Sequence, residues 1–139
     1  MDIVALVLST ITAAASAIAA ILTYINGKKT SYGNLELQIR AMISDAKYHL
    51  LEFSYRCADL DKDIASKQLD SLNEELLNAY DEACAKYLDK KVDRERFKKM
   101  YFHEIKQIVE NSEYDDYYSP TKSKYTATLK VYKEFVPHD

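Results

Sequence analysis

Hydrophobic residues in this chain follow two regimes. From Ile3 to Ile25 the sequence reads IVALVLSTITAAASAIAAILTYI, without a charged residue, whereas beyond Lys28 apolar positions recur at threes and fours among charged ones. As a helix rising about 1.5 Å per residue, the first stretch spans roughly 35 Å, enough to cross a hydrocarbon core of about 30 Å. It predicts a transmembrane helix over residues 1–26. Two other uses of such a stretch compete. A cleaved secretory signal wants a basic flank, where this chain has Asp2. A buried, Ala-rich core helix of a soluble protein is the other.

The second regime predicts helices. Leu35, Ile39, Met42, Ile43, Ala46, Leu50, Phe53, Cys57 and Leu60 make one apolar face. Leu69, Leu72, Leu76, Tyr80, Ala83, Tyr87 and Leu88 make another, and Phe97, Tyr101, Ile105, Ile108 and Val109 a third. Asp59 to Asp63 reads as the turn between the first two, and Asp93 as the amino-terminal cap of the third. Glu110 to Ser119 breaks the period. Ser119-Pro120 then reads as the cap and first position of a fourth helix ending near Pro137, with Tyr125, Leu129, Tyr132 and Val136 on its apolar face. Residues 27–34, bracketed by Gly27 and Gly33, read as a short linker. The expected fold is all-α: a single N-terminal transmembrane helix, a linker over 27–34, and a small cytoplasmic helical bundle over 35–139. Short connections make neighbouring helices antiparallel.

Composition narrows the choice. With two Gly, two Pro and no Trp in 139 residues, little material exists for the tight turns of an all-β fold. The net charge is only −3, yet Asp2 is the sole charge before Lys28. Lys28 and Lys29 just beyond the apolar stretch place the charged part in the cytoplasm by the positive-inside rule, with Tyr24 at the interface. Cys57 and Cys84 are then expected to stay free in a reducing compartment.

The apolar stretch has two unlike sides. Ala5, Ser9, Thr12, Ala13, Ser16, Ala19, Ala20 and Thr23 fall on one, and Val4, Val7, Leu8, Ile11, Ile18, Ile21, Leu22 and Ile25 on the other. Small residues let membrane helices approach closely, and Ser9, Thr12, Ser16, Ala19 and Thr23 repeat with the period of a left-handed bundle. This stripe is the expected face of self-association, and in a wide enough ring its hydroxyls line a narrow polar path. The plainer alternative is that the hydroxyls bond back to their own helix.

Charge in the remainder is segregated. Acidic residues dominate from Asp59 to Cys84 and from Glu110 to Asp116. Basic residues cluster at Lys86, Lys90, Lys91, Arg94, Arg96, Lys98 and Lys99, and again near Lys122 and Lys124. Tyr87, Phe97, Tyr101 and Phe102 lie among the first group, Tyr125 and Tyr132 beside the second. Cations beside flat rings suit an anionic ligand, a nucleotide or single-stranded nucleic acid. They equally suit solvated helix faces whose rings point inward, or contact with anionic headgroups. The acidic, Tyr-rich run from Glu113 to Tyr118 reads as an exposed, mobile connection.

Catalytic signatures are scarce. Arg96 and His103 fit the loose arginine–histidine spacing that resembles helical HEPN ribonucleases, in which such pairs cleave RNA without metal; Phe97 departs from the polar residue often found there. His49, His103 and His138 are scattered and the cysteines lie far apart, so no metal site is assigned. No catalytic residue and no cofactor is expected.

The stretch LLNAYDEACAKYLDKKVDRERFKKMYFHEIKQIVE, Leu76 to Glu110, is similar to small bacterial proteins with one membrane helix and a helical cytoplasmic domain, found among prophage and defence-island genes. The carrying features are Leu77-Asn78 before a Cys-containing helix, then Val92-Asp93 and Phe97 opening the next. The layout resembles the transmembrane effector of the Hailong anti-phage system. That resemblance implies a single-pass inner-membrane protein that oligomerises with itself and permeabilises the bilayer. It implies a nucleotide or nucleic-acid signal made by an operon-encoded partner. A membrane-tethered interaction module without channel activity is the alternative. If nucleic acid binds the basic stretches, log affinity falls with log salt concentration by about 0.7 per single-strand phosphate neutralised; a flat response in a titration removes nucleic acid as the ligand.

Overall fold

A computed structural model describes residues 3–119 and 121–137. The roles given above to Asp2, Pro120 and His138 lie outside the described residues. Among these, the chain is helical with no strand: α1 (Ile3–Arg56), α2 (Lys62–Leu88), α3 (Arg94–Glu110) and α4 (Thr126–Phe135), with short 3-10 turns at Cys57–Asp59 and Ser112–Tyr114. Two compact units divide between Asn34 and Leu35.

In the first unit every described side chain from Ile3 to Ser31 is exposed. Ile11 and Ile18 are 61% and 59% exposed. One helix, α1, is long and apolar enough to cross a membrane; its apolar window has a mean hydropathy of 1.7, with none of it buried.

The expected linker over residues 27–34 is helical instead, inside α1. Each glycine costs a helix only about 1 kcal/mol relative to Ala, and neither adopts a positive φ that would end one. Nothing lies within 4 Å of a Cβ built at Gly27 or Gly33. Local contacts one turn apart support the helix: Thr30 Oγ1 donates to Asn26 O at 3.0 Å, and Lys28 Nζ stands 5.5 Å from the Tyr32 ring.

The second unit is a bundle of the α1 segment from Leu35 onward with α2, α3 and α4. α1 buries Ile39, Ile43, Ala46 and Phe53. α2 begins after Asp61, whose Oδ1 accepts from Asp63 N at 2.9 Å. It buries Leu76, Leu77, Ala79, Tyr80, Ala83, Cys84 and Tyr87. Its end closes as a Schellman motif. Lys91 N donates to Lys86 O at 3.0 Å and Lys90 N to Tyr87 O at 3.1 Å, with Lys90 at φ 58. A side chain in that left-handed region costs about 1 kcal/mol relative to glycine. α3 opens on Asp93 as expected, its Oδ1 accepting from Arg96 N at 3.0 Å, and buries Phe97, Tyr101 and Ile105.

The fourth helix departs from expectation. It starts at Thr126, after Tyr125, rather than at Ser119-Pro120. Its buried residues are Ala127, Thr128, Val131 and Phe135; Leu129, Tyr132 and Val136 are only half-buried. A polar residue turns the helix this way. Thr128 is fully buried, and Asp81 Oδ1 on α2 accepts from both its backbone N (2.9 Å) and its Oγ1 (3.1 Å). The carboxylate thus caps α4 from a neighbouring helix, since Tyr125 offers no side-chain cap of its own.

The Tyr-rich connection is also anchored, not an open loop. Tyr118 is buried with Leu77 and Tyr125, and Tyr114 and Tyr117 pack against them. The Tyr118 and Tyr125 ring centroids are 5.7 Å apart. Asp81→Ala leaves two buried donors on Thr128 without their acceptor and is expected to cost about 2 kcal/mol in urea unfolding; Asp81→Asn, which keeps a carbonyl oxygen, should cost less.

Candidate functional site

The basic stretch takes its shape from two helix ends and the helix between them. Lys86, Lys90 and Lys91 lie at the carboxy-terminal end of α2, where the helix dipole favours cations. Lys86 Nζ is 3.8 Å from Glu82 and Lys91 Nζ 3.6 Å from Asp89. Arg94 reaches Glu134 on α4 at 2.6 Å and Tyr87 Oη at 3.1 Å, with its guanidinium 4.5 Å from the centre of the Tyr87 ring. Tyr87 Oη donates to the same Glu134 at 2.6 Å. Burial, reinforced by that carboxylate, raises the Tyr87 phenol above its ordinary value. Arg96 Nε meets Glu36 on α1 at 3.0 Å. Lys124 Nζ meets Glu74 on α2 at 2.9 Å and lies 5.4 Å from the Tyr125 ring.

Most of the cations expected to hold an anion are therefore matched with carboxylates of this chain. Lys98 stands 5.4 Å from the Phe135 ring, and Lys99 is exposed beside it. Together with Glu95, Phe102 and His103 they line a groove of about 380 Å³ on the outer side of α3. Lys122 belongs elsewhere, in a groove with Val109, Asp115, Asp116, Tyr118 and Ser119. The nine cations do not converge on one site. In the groove with Lys98, Lys99, Phe102 and His103 the lysines lie near aromatic rings and are in no ion pair among the described residues, and the His103 ring meets Phe102 at 5.1 Å.

For the ribonuclease pattern, Arg96 is engaged by Glu36 while His103 is exposed two turns further along α3. Among the described residues, no three His, Cys, Asp or Glu side chains are placed to hold a metal ion.

A second cleft, of about 300 Å³, lies between α1 and α3 and was not legible from local pattern. Arg40, Ser44 and Lys47 line one wall, and Met100, Tyr101 and Glu104 the other. Beneath it, Glu104 accepts from Lys47 Nζ at 2.9 Å and from Tyr80 Oη of α2. Burial and the Glu104 carboxylate hold the Tyr80 phenol far above the ordinary range. This network ties three helices at one point. Its members are far apart in sequence, so no spacing rule announces them.

In the apolar stretch, the threonine hydroxyls bond back to their own helix. Thr12 Oγ1 donates to Leu8 O and Thr23 Oγ1 to Ala19 O, both at 2.9 Å. Ser9, Thr12, Ser16, Ala19 and Thr23 are all exposed in the single chain.

The two free cysteines differ sharply. Cys57 is half-buried, whereas Cys84 is fully buried and burial pushes its thiol up to about 12. Thiolate at pH 8 is then roughly one part in ten thousand at Cys84. Iodoacetamide at pH 8 should label Cys57 in the native protein and Cys84 only after denaturation, as read by mass spectrometry. Compared with the profiles of protein families, with curated proteins and with solved structures, the chain matches none.

Proposed function

We propose that this protein is a membrane-anchored effector that self-associates through its apolar stretch and lets ions leak across the bilayer, with its helical bundle on the cytoplasmic side. The observation that carries this reading is the wholly exposed apolar stretch of α1. Contiguous apolar surface on that scale is costly in water, at about 25 cal/mol per Å², and marks a membrane or partner surface. The stripe of Ser9, Thr12, Ser16, Ala19 and Thr23 supplies small residues for close helix contact. Lys28 and Lys29 support the orientation.

The inner-membrane, anti-phage setting comes from the resemblance of Leu76 to Glu110. In that setting an anionic signal, a nucleotide or an oligonucleotide supplied by a partner enzyme, would act at the bundle. The groove at Lys98, Lys99, Phe102 and His103 supports that part, because its lysines are in no ion pair among the described residues.

One observation favours the simpler tether. Thr12 and Thr23 are satisfied by their own helix, so they need no second copy. Replacing Ser9, Thr12 and Ser16 together by Leu separates the two. The effector reading expects unchanged membrane retention but loss of dye or ion flux from reconstituted liposomes. No flux from either leaves the tether, whereas equal flux from both removes the Ser/Thr stripe as the conducting face.

A further inference from the structure

The bundle segment of α1 has two apolar faces, and only one is used. Ile39, Ile43, Ala46 and Phe53 face the core. Nearly opposite, Leu37, Ala41, Ser44, Tyr48, Leu51 and Tyr55 follow one another at alternating steps of four and three and are all exposed. The large ones are far from buried: Leu37 is 64% exposed, Tyr48 61%, Leu51 52% and Tyr55 78%. That spacing is the a/d seam of a left-handed coiled coil, with Ala41, Tyr48 and Tyr55 at a and Leu37, Ser44 and Leu51 at d.

The flanking charges identify the occupant. The g positions before each a residue are Arg40, Lys47 and Ser54; the e positions after each d residue are Gln38, Asp45 and Glu52. One edge of the seam is basic and the other acidic. In a parallel pair each g residue faces the e residue five positions further along the partner. A second copy of this chain therefore sets Arg40 against Asp45 and Lys47 against Glu52. An antiparallel copy would oppose basic edge to basic edge. We propose that the exposed seam of α1 from Leu37 to Tyr55 binds a second copy of the same chain in parallel, with Arg40 and Asp45 exchanged between copies to set orientation and register.

The Arg40 and Asp45 pair is the cleaner determinant. Within the chain Lys47 already meets Glu104, and Glu52 meets Arg56. Neither Arg40 nor Asp45 is in an ion pair among the described residues, and within the chain Arg40 meets the neutral Tyr101 hydroxyl. By residue count, Leu37, Ser44 and Leu51 also keep the heptad phase of Ser9, Ser16 and Thr23. At about 1.5 Å per residue the seam is roughly 27 Å long, short for a coiled coil on its own. It rests for its strength on the membrane reading above, because anchoring in one bilayer raises effective concentration and enforces parallel orientation. The pairing rule itself comes from the charges.

The test uses the full chain in detergent micelles or liposomes with Cys57→Ser as background. Tyr48→Cys and, separately, Leu51→Cys should each give disulfide-linked dimers under mild oxidation, while Ser66→Cys on α2 should not. Adding Arg40→Glu or Asp45→Arg to Tyr48→Cys should lower the dimer yield at least about fivefold, since each change makes both symmetric pairs repulsive. Mixing differently tagged Arg40→Glu and Asp45→Arg chains restores opposite charge at both places and should recover the mixed dimer. The proposal is overturned if neither Tyr48→Cys nor Leu51→Cys cross-links, if the charge changes leave the yield unaltered, or if mixing recovers nothing. Liposome flux without these dimers overturns the seam and leaves the channel reading standing. Dimers without flux uphold the seam and overturn the channel.

Discussion

Asp81 holds the carboxy-terminal part of the bundle in place. α4 is only 10 residues long, below the roughly 12–15 residues at which an isolated helix becomes even marginal in water. It lacks a cap of its own, and one carboxylate oxygen from α2 supplies it. That contact buries Thr128 and rotates Val131 and Phe135 into the core beside Tyr87 and Phe97. Phe135 meets Tyr87 edge-on at 5.4 Å, and Tyr87 meets Phe97 at 5.0 Å. The aromatic centre of the bundle and the Arg94–Glu134 pair above it both depend on α4 being docked in that rotation.

Local signals in the sequence were reliable where the structure relies on local chemistry. Asp93 caps α3 as expected, the turn read over Asp59 to Asp63 does separate α1 from α2, and the three-and-four spacing picks out Ile39, Ile43, Ala46, Leu76, Tyr80, Ala83, Phe97, Tyr101 and Ile105 as buried. Reading failed where a partner distant in the chain decides. Thr128 is absent from the apolar face read for the fourth helix, and its burial follows from Asp81 placed against it. Tyr118 reads as part of an acidic loop until Leu77 and Tyr125 supply its pocket. Gly27 and Gly33 read as a break because glycine is weak in helices, but a weak preference twice in eight residues does not outweigh continuous backbone hydrogen bonding.

Charge was the least legible feature of the site. A run such as Lys86 to Lys99 looks like an anion surface when counted along the sequence. In space, Glu36, Glu134, Glu82 and Asp89 divide it among intramolecular pairs. The cations at the end of α2 also answer the partial negative charge of that helix terminus. What is left over, at Lys98 and Lys99, is smaller than the linear pattern suggested, and the cleft bearing Arg40, Lys47 and Glu104 had no linear pattern at all.

The back-bonded threonines carry a chemical bias of their own. A hydroxyl that has committed its proton to a carbonyl one turn back keeps only lone pairs for whatever approaches from outside. Thr12 and Thr23 are in that state, donating to Leu8 O and Ala19 O. To a passing solute they are acceptors: they can replace part of a metal cation's hydration or accept a hydrogen bond from water, and they have no donor to offer chloride. Any polar path built on these two oxygens would favour positive charge.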